Sequence, residues 1–447
     1  MSTADTLSSA GRDRERRLLL LGFLIVVGAY TVLGWSRSSA VPFGTVTYGA
    51  ALAILGVAAH FAVRRWAPYA DPLLLPCAYL LNGLGLVFIR RVDFAEGSNL
   101  AVTQTTWTVV GIALFAATLL ILDDYRSLSR YAYTFGLATL VLLLLPLFPV
   151  IGKEVNGARL WVEIGPLNFQ PGEIAKLTIV VFLAAYLERK RTLLSVATHR
   201  VGPLLLPEPR HLAPVLAAAG AALLILVAQR DLGSSLLFFG VFIAMLYMAT
   251  GRLAYPAVGL TAFAGGAFVA YHLFDHVRRR FLIWIDPWSR IDDAGYQLAQ
   301  TTFALGTGGL TGTGLGLGRP DDIPFAATDA VFAVVGEELG LLGGTAVLLV
   351  FLLIVARGFK TALTARDELG TLLAAGLTFT LGLQVFVIIG GVTRLVPFTG
   401  ITLPFVSYGG SSLIANYVLL ALLIVISHRS RAVLLGADAS RGKKGGS

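Results

Sequence analysis

Long apolar runs alternate with polar connections over the whole chain. A run of about 17 to 25 apolar residues is long enough for a helix to cross roughly 30 Å of hydrocarbon. We count twelve apolar runs, of which 173–187 is shorter than this range and 330–356 is longer. They lie at residues 18–34, 46–63, 73–89, 105–122, 131–151, 173–187, 211–228, 234–250, 253–274, 330–356, 368–391 and 411–427. The pattern predicts an all-α polytopic membrane protein with about twelve transmembrane helices.

The composition agrees with this prediction. The 447 residues are 56% hydrophobic and only 14% charged, which is too little polar surface to coat a soluble globule of this size. The single cysteine, Cys77, lies in the third run, which excludes an intramolecular disulfide and a cysteine metal cluster.

Basic residues set the expected orientation. An even number of spans puts both termini on one side, and "RDRERR" near the start and "RGKK" near the end indicate the cytoplasm. In that orientation more than half of the 35 lysines and arginines lie in cytoplasmic segments. The net charge of +9 is then explained by orientation and by contact with anionic membrane lipids, and no nucleic-acid partner is expected.

Three connections are longer than the others, at 152–172, 188–210 and 275–329. The second is basic and is expected in the cytoplasm, whereas the other two are expected outside. Long loops in a compact bundle are usually functional or disordered. The glycines of "GTGGLTGTGLGLG" at 306–318 match the letters of a dinucleotide fingerprint, but no strand precedes them. We therefore predict a glycine-rich turn packed against the bundle.

Basic residues on the outer side need an explanation other than orientation. Together they could bind an anion such as a phosphate, or they could pair with the aspartates of the same loops. They are Lys153, Arg159, Arg230, Arg278, Arg279, Arg280, Arg290, Arg319 and Arg394.

Two charged residues open the sixth run. Glu173 and Lys176 are three residues apart and therefore project from one face of a helix. An ion pair inside a membrane is costly unless it is well paired, and it usually marks a functional interior. The alternative is that both side chains extend from the helix end to the interface.

Three carboxylates lie at the start of the tenth run, within "FAATDAVFAVVGEELG". Thr328 is expected to cap a helix and to place Asp329 in its first turn, where the helix dipole favours a carboxylate. Asp329 would also lie at the outer membrane boundary, where an ionised acid could act as a general base on a lipid-borne substrate. Glu337 and Glu338 lie two turns deeper, and at least one must point into the bundle; either could belong to a proton relay.

Six segments in this order resemble the SEDS family (shape, elongation, division and sporulation), which includes RodA and FtsW. They are "VNGARLWVEIGPLNFQPGEIAKL" at 155–177, "QRDLGSS" at 229–235, "DPWSRIDDAGYQ" at 286–297, "GTGLGLG" at 312–318, "ATDAVFAVVGEELGLLG" at 327–343 and "PFTGITLPFVSYGGSS" at 397–412. The likeness covers residues 99–430. It implies a ten-helix core, to which this chain adds two N-terminal helices.

The resemblance implies a division of the chain into four parts. A cytoplasmic tail at 1–17 precedes the extra helices and the first part of the bundle at 18–98. The core at 99–430 contains the extracellular loop 275–329, and a second cytoplasmic tail follows at 431–447.

The resemblance also implies an activity, because known SEDS proteins are peptidoglycan glycosyltransferases that polymerise lipid II at the outer face of the cytoplasmic membrane. Asp329 would be the catalytic acid–base residue. It would deprotonate the sugar hydroxyl that attacks the anomeric carbon of the growing strand, with release of undecaprenyl pyrophosphate. Residues expected to bind substrate or to support the site are Glu173, Lys176, Arg159, Trp161, Arg319, Glu337 and Ser411.

The resemblance implies a class B penicillin-binding protein as partner and leaves open a divalent cation such as Mg²⁺ or Mn²⁺, with no metal ligands assigned. Two alternative functions are a lipid II flippase or other transporter, and a scaffold without catalytic activity. A transporter would be expected to carry charged residues in the middle of its spans.

Overall fold

The computed structural model describes residues 3–38, 44–155, 157–165, 167–195, 199–201, 204–206 and 209–434. Its helices are α1 (Thr3–Ser38), α2 (Gly44–Trp66), α3 (Leu74–Glu96), α4 (Leu100–Ile121), α5 (Ala132–Leu144), α6 (Pro171–Ser195), α7 (Pro209–Ala228), α8 (Leu232–Thr250), α9 (Ala254–Leu273), α10 (Asp275–Ile285), α11 (Tyr296–Gly308), α12 (Val331–Thr364), α13 (Glu368–Val392) and α14 (Gly410–Leu434). A 3₁₀ segment, Tyr125–Tyr131, leads into α5.

Every one of the twelve predicted spans coincides with a helix. Within the described residues, ten helical segments are long and apolar enough to cross a membrane. The other two predicted spans correspond to α6, which carries the charges of its first turns, and to α7, whose described apolar part is Leu216–Ala228. The fold is thus an all-α polytopic bundle, as the apolar runs predict.

Two small antiparallel sheets occur in the long connections. The first joins β1 (Gly152–Val155), β2 (Ala158–Ile164) and β3 (Leu167–Phe169) between α5 and α6. The second pairs β4 (His199–Val201) with β5 (Leu204–Leu206) in the basic connection before α7. The rest of that connection, 196–198, 202–203 and 207–208, and most of the expected C-terminal tail, 435–447, lie outside the described residues.

The long 275–329 connection is folded rather than irregular. It contains α10 and α11, and its glycine-rich end returns against the first turns of α12, as predicted for a turn packed on the bundle. A Cβ added to Gly308 would lie 2.0 Å from the Gly336 carbonyl oxygen, and one added to Gly312 would lie 2.2 Å from that of Glu338. On the α12 side of this contact lies Gly340, which breaks the regular geometry of the helix with φ of 66°.

The core of the bundle is formed by α3, α13 and α14, which are buried over most of their length, whereas α9 is almost entirely exposed. The ends of the helices define two sides, which we name the Asp329 end and the Asp71 end. At the Asp71 end, the Asp71 carboxylate bonds Arg357 of α12 and Arg431 of α14. This cluster ties together elements that are distant in sequence.

The two N-terminal helices pack against α3. The Tyr79 hydroxyl donates to the Leu52 carbonyl oxygen at 3.0 Å, and the Tyr48 hydroxyl donates to that of Gly83 at 3.1 Å. A Cβ on Gly83 would lie 2.6 Å from a methyl carbon of Val26. Close packing of this kind, with small residues at the contact, is typical of helices in membranes.

Candidate active site

Asp329 lies just before α12, and not inside its first turn. The helix begins at Val331, its N-cap is Ala330, and no side chain caps it. The expectation that Thr328 caps the helix is therefore wrong: the Thr328 hydroxyl donates to the Phe325 carbonyl oxygen at 3.2 Å. The tight turn at 325–330, in which Phe325 has φ of 58°, displaces the helix start by two residues.

The Asp329 carboxyl is half-buried, and this burial has an electrostatic consequence. Removal from water disfavours the charged form of an acid. Burial raises the pKa of Asp329 to about 6, although Thr328 and Arg280 partly oppose the rise. A carboxyl with this pKa is ionised near neutral pH and is a stronger base than an exposed aspartate, which suits it to general-base catalysis.

A loop between α13 and α14, residues 393–409, holds the Asp329 segment in place. The Tyr408 amide donates to the Ala327 carbonyl oxygen at 2.7 Å, and the Ser407 hydroxyl donates to that of Thr328 at 2.5 Å. Gly400 has φ of 71°, and a Cβ there would lie 3.3 Å from Asp329 Oδ2. The carboxylate therefore faces the backbone of this loop.

Arg280 of α10 is the cation whose charge lowers the pKa of Asp329. Its guanidinium donates to the Thr399 carbonyl oxygen at 3.0 Å and to that of Phe398 at 3.4 Å. Burial lowers the pKa of Arg280, while Asp231 and Asp329 raise it. Arg280 thus joins α10 to the 393–409 loop by hydrogen bonds and acts electrostatically on two carboxylates.

Asp231 is a second buried acid at this end. Its side chain caps α8 by accepting from the Ser234 amide at 2.9 Å. Burial raises the pKa of Asp231, the Ser234 hydrogen bonds and Arg280 oppose the rise, and Glu173 adds to it. The sequence suggested Asp231 only as a partner for arginines. Its position three residues before the predicted 234–250 span was the available signal that it caps a helix at this end.

Glu173 and Lys176 form the buried ion pair that their spacing predicted, with Lys176 Nζ 2.7 Å from Glu173 Oε2. The same Nζ donates to Gln384 Oε1 of α13 at 2.7 Å. Gln384 Nε2 in turn donates to the Thr402 carbonyl oxygen at 2.8 Å. The pair is linked through Gln384, which sequence reasoning missed, to the loop that faces Asp329.

Three other predicted site residues lie on the connection before α6 or next to it. The buried Ser411 hydroxyl accepts from the Gln170 amide at 2.9 Å and so ties the start of α6 to α14. Arg159 and Trp161 lie on β2, where Arg159 is exposed and its Nε is 3.1 Å from Glu154 Oε2. Ser411 therefore joins the helices of the site, whereas Arg159 and Trp161 belong to the sheet at its edge.

Glu337 and Glu338 both point inwards and hold the glycine-rich turn. Glu338 forms a fully buried salt bridge with Arg91 of α3, at 2.6 Å. Its carboxylate also accepts from the Gly316 amide at 2.9 Å and from the Gly318 amide at 3.3 Å. Glu337 accepts from the backbone amide of Arg319 at 3.0 Å, while the Arg319 side chain is exposed. The contacts of Glu337 and Arg319, which were both predicted as site residues, therefore stabilise the fold of the glycine-rich turn.

A cavity of about 760 Å³ opens at the Asp329 end between α7, β2, α9 and α10. Its polar lining is mainly basic, with Arg230, Arg279, Arg280 and His276 around it and Asp275 as the one acid among the lining residues. Burial lowers the pKa of His276, and the nearby Arg230 and Arg280 lower it further. Because Arg280 both lines the cavity and acts on Asp329, the arrangement can hold an anionic group close to a general base.

Within the described part of the chain, no group of three or more histidine, cysteine or acidic side chains is placed to hold a metal ion. Arginines line the cavity at this end.

Comparison with known proteins identifies relatives over nearly the whole chain. The sequence is 46% identical over 430 residues to the peptidoglycan glycosyltransferase RodA of Mycobacterium tuberculosis, covering 95% of this chain and 92% of that protein. It is 45% identical to the RodA of Mycobacterium leprae, covering 94% and 91%. Identity to an FtsW of Geobacter sulfurreducens is 36%, covering 80% and 95%.

Solved structures with the same fold are also found. A chain of a peptidoglycan synthase complex superimposes with a TM-score of 0.66 and 31% identity, covering 81% of this chain and 98% of that one. The rod shape determining protein RodA of Thermus thermophilus gives 0.55 and 28%, covering 81% and 97%. The model of the FtsW, RodA and SpoVE family, described as cell cycle protein, matches residues 71–432. The chain is a multi-pass membrane protein and belongs to this family.

Proposed function

We propose that this protein is a peptidoglycan glycosyltransferase that polymerises lipid II at the outer face of the cytoplasmic membrane, with Asp329 as its general base. The observation that carries the proposal is the half-buried Asp329 carboxyl, with a pKa of about 6, beside an arginine that also lines a basic cavity. Relatives named peptidoglycan glycosyltransferase at 46% identity support the activity.

This geometry supports a reaction in a single displacement step. The acceptor sugar hydroxyl gives its proton to an Asp329 oxygen as its own oxygen forms a bond to the anomeric carbon of the growing strand. The bond from that carbon to the pyrophosphate breaks at the same time, so the configuration inverts. Arg230, Arg279 and Arg280 are placed to stabilise the charge that develops on the departing pyrophosphate.

The proposal includes an orientation and a partner. The Asp329 end faces outwards and both termini are cytoplasmic, which agrees with the distribution of lysines and arginines. A class B penicillin-binding protein would crosslink the strands. This partner is supported by the likeness to a chain of a synthase complex that coordinates polymerization and crosslinking.

The test is lipid II polymerisation by the purified protein, with a co-expressed class B penicillin-binding protein. We expect glycan strands from the wild type and at least a ~10²-fold lower rate from Asp329→Asn, because the amide cannot accept the proton. Asp321→Asn is the matched control, since Asp321 is an exposed acid of the same connection. It is expected to retain the wild-type rate.

Other outcomes separate the alternatives. Equal rates from Asp329→Asn and the wild type would show that the base is wrongly assigned. An inactive wild type that moves labelled lipid II across vesicles would indicate a flippase. An inactive wild type that only increases crosslinking by its partner would indicate a scaffold.

A further inference from the structure

The two N-terminal helices lie outside the part of the chain that matches the family, which begins at residue 71. They are nevertheless closely packed on α3 and reach both ends of the bundle. Their contacts at the Asp329 end are specific, and they involve the glycine-rich turn 312–318 rather than the bundle alone.

The last turns of α1 press directly on this turn. Gly316 has φ of 89°, and a Cβ added to it would lie 2.1 Å from Ser36 Oγ and 3.3 Å from a methyl carbon of Leu33. The neighbouring Leu315 packs against the small apolar cluster that contains the fully buried Leu33. One side of the turn is therefore formed by α1.

The opposite side of the turn is held by the start of α12. The amides of Gly316 and Gly318 donate to the carboxylate of Glu338, and the amide of Arg319 donates to that of Glu337. Arg91 fixes Glu338 by its salt bridge and also donates to the Gly318 carbonyl oxygen at 2.6 Å. The turn is thus clamped between α1 and the helix that directly follows Asp329.

We propose that α1 is a buttress for the active site: Leu33 and Ser36 are positioning residues that fix the glycine-rich turn and, through Glu337 and Glu338, the start of α12 and Asp329. The proposal rests on the function proposed above. Since a displacement of about 1 Å can cost ~10²-fold in rate, loss of this support should reduce catalysis without changing the residues that bind substrate.

A buttress must itself be fixed, and α1 is fixed at its other end. Arg12 donates to the Ala70 carbonyl oxygen and pairs with the buried Glu15. The same glutamate lies 2.7 Å from Nδ1 of His60 on α2. Both N-terminal helices are therefore connected to each other and to the connection that carries Asp71.

The test compares Leu33→Ala with Leu24→Ala in the full-length protein with its penicillin-binding partner. Leu33 is fully buried, whereas Leu24 is 58% exposed on the same helix and is the matched control. We expect Leu33→Ala to lower kcat for lipid II polymerisation about tenfold with KM within twofold of the wild type. Leu24→Ala is expected to leave both values unchanged.

Hydrogen–deuterium exchange supplies a readout that does not depend on activity. The amides of 316–319 are expected to exchange at least about tenfold faster in Leu33→Ala than in the wild type or in Leu24→Ala. If Leu33→Ala does not fold, Ser36→Leu replaces it as the test variant, because a larger side chain at this position displaces Gly316 without leaving a cavity. The same decrease in kcat and the same faster exchange at 316–319 are expected.

Unchanged exchange in a folded Leu33→Ala or Ser36→Leu protein would overturn the buttress. Faster exchange with an unchanged kcat would overturn the link to Asp329. If the wild type fails to polymerise lipid II, the proposed function fails, and the exchange data still decide whether α1 supports the turn.

Discussion

Asp329 and Arg280 show how one charge sets the chemistry of a neighbouring residue. Burial raises the pKa of Asp329 to about 6, and the Thr328 hydrogen bond and the positive charge of Arg280 limit the rise. The two residues come from segments about 50 positions apart, and the 393–409 loop brings them together. The acid limb of the pH–rate profile should therefore depend on Arg280.

We predict that Arg280→Gln moves the acid limb of the kcat/KM profile to higher pH. Loss of the cation destabilises the ionised carboxylate, so the pKa of Asp329 rises and the base is protonated at a higher pH. The measurement is initial rate of lipid II polymerisation between about pH 5 and 8. Arg278→Gln on the exposed side of α10 is the control and should keep the wild-type limb. An unshifted limb in Arg280→Gln would contradict this coupling.

Single residues also show the limits of sequence reasoning. Asp329, Glu173 and Lys176 could be selected because ionisable groups next to apolar runs are conspicuous in a membrane protein. Gln384 could not be selected, and Arg280 could not be distinguished from the other outer basic residues. Their roles arise from contacts with the 393–409 loop, more than 15 and 110 residues away respectively. No local pattern encodes such contacts.

Among the elements, α6 carries a buried ion pair and the β1–β2 sheet carries an exposed one. Glu173 and Lys176 are 8% and 7% exposed, whereas Lys153 and Glu163 are 45% and 46% exposed. A buried charge that loses its partner keeps its desolvation penalty, whereas an exposed one is solvated by water. The two pairs should therefore differ sharply in their effect on stability.

We predict that Lys176→Met destabilises the protein by about 3–5 kcal/mol, because Glu173 is left buried without a cation. Lys153→Met is the matched control and should cost about 0–1 kcal/mol. Thermal unfolding of the detergent-solubilised protein measures both. Adding Glu173→Gln to Lys176→Met should restore much of the loss, and a double variant no more stable than the single one would argue against an uncompensated charge.

The elements themselves were predictable to different extents. The twelve spans follow from apolar runs, since the length needed to cross hydrocarbon is a local property of the sequence. The three-stranded sheet at 152–169 was not predicted, because its strands have three to seven residues and gain their order by pairing with each other. The helices α10 and α11 were likewise hidden inside a connection that was expected to be a loop.

For the whole molecule, the two ends of the bundle differ in their chemistry. The Asp329 end carries the basic cavity and the folded connections 152–169 and 275–329. The Asp71 end carries the cluster of Asp71, Arg357 and Arg431. The proposed function places lipid II polymerisation at the outer face of the membrane and therefore requires the Asp329 end to face outwards. The orientation of the bundle in the membrane is therefore a direct test of the proposed function.

We predict that Asp293→Cys is labelled by a membrane-impermeant maleimide in intact cells, since Asp293 is exposed at the Asp329 end. Lys360→Cys lies near the other end of α12 and should be labelled only after permeabilisation. The wild type controls for the native Cys77, which is buried. Labelling of the two variants in the reverse order would place the candidate active site in the cytoplasm and would rule out the proposed reaction.

The contact between the glycine-rich turn and α12 has a consequence for evolution. A side chain at Gly308, Gly312 or Gly340 would meet main-chain atoms at 2.0 to 2.3 Å, and main-chain atoms are present whatever the neighbouring residue is. A second substitution nearby cannot create space for the new side chain, because it leaves the main chain in place. We therefore expect no compensating mutation to permit another residue at these positions. Gly306, which has open space around it, is free to vary. The contact between α11, the glycine-rich turn and α12 therefore combines positions that are closed to substitution with a neighbouring position, Gly306, that can accumulate changes.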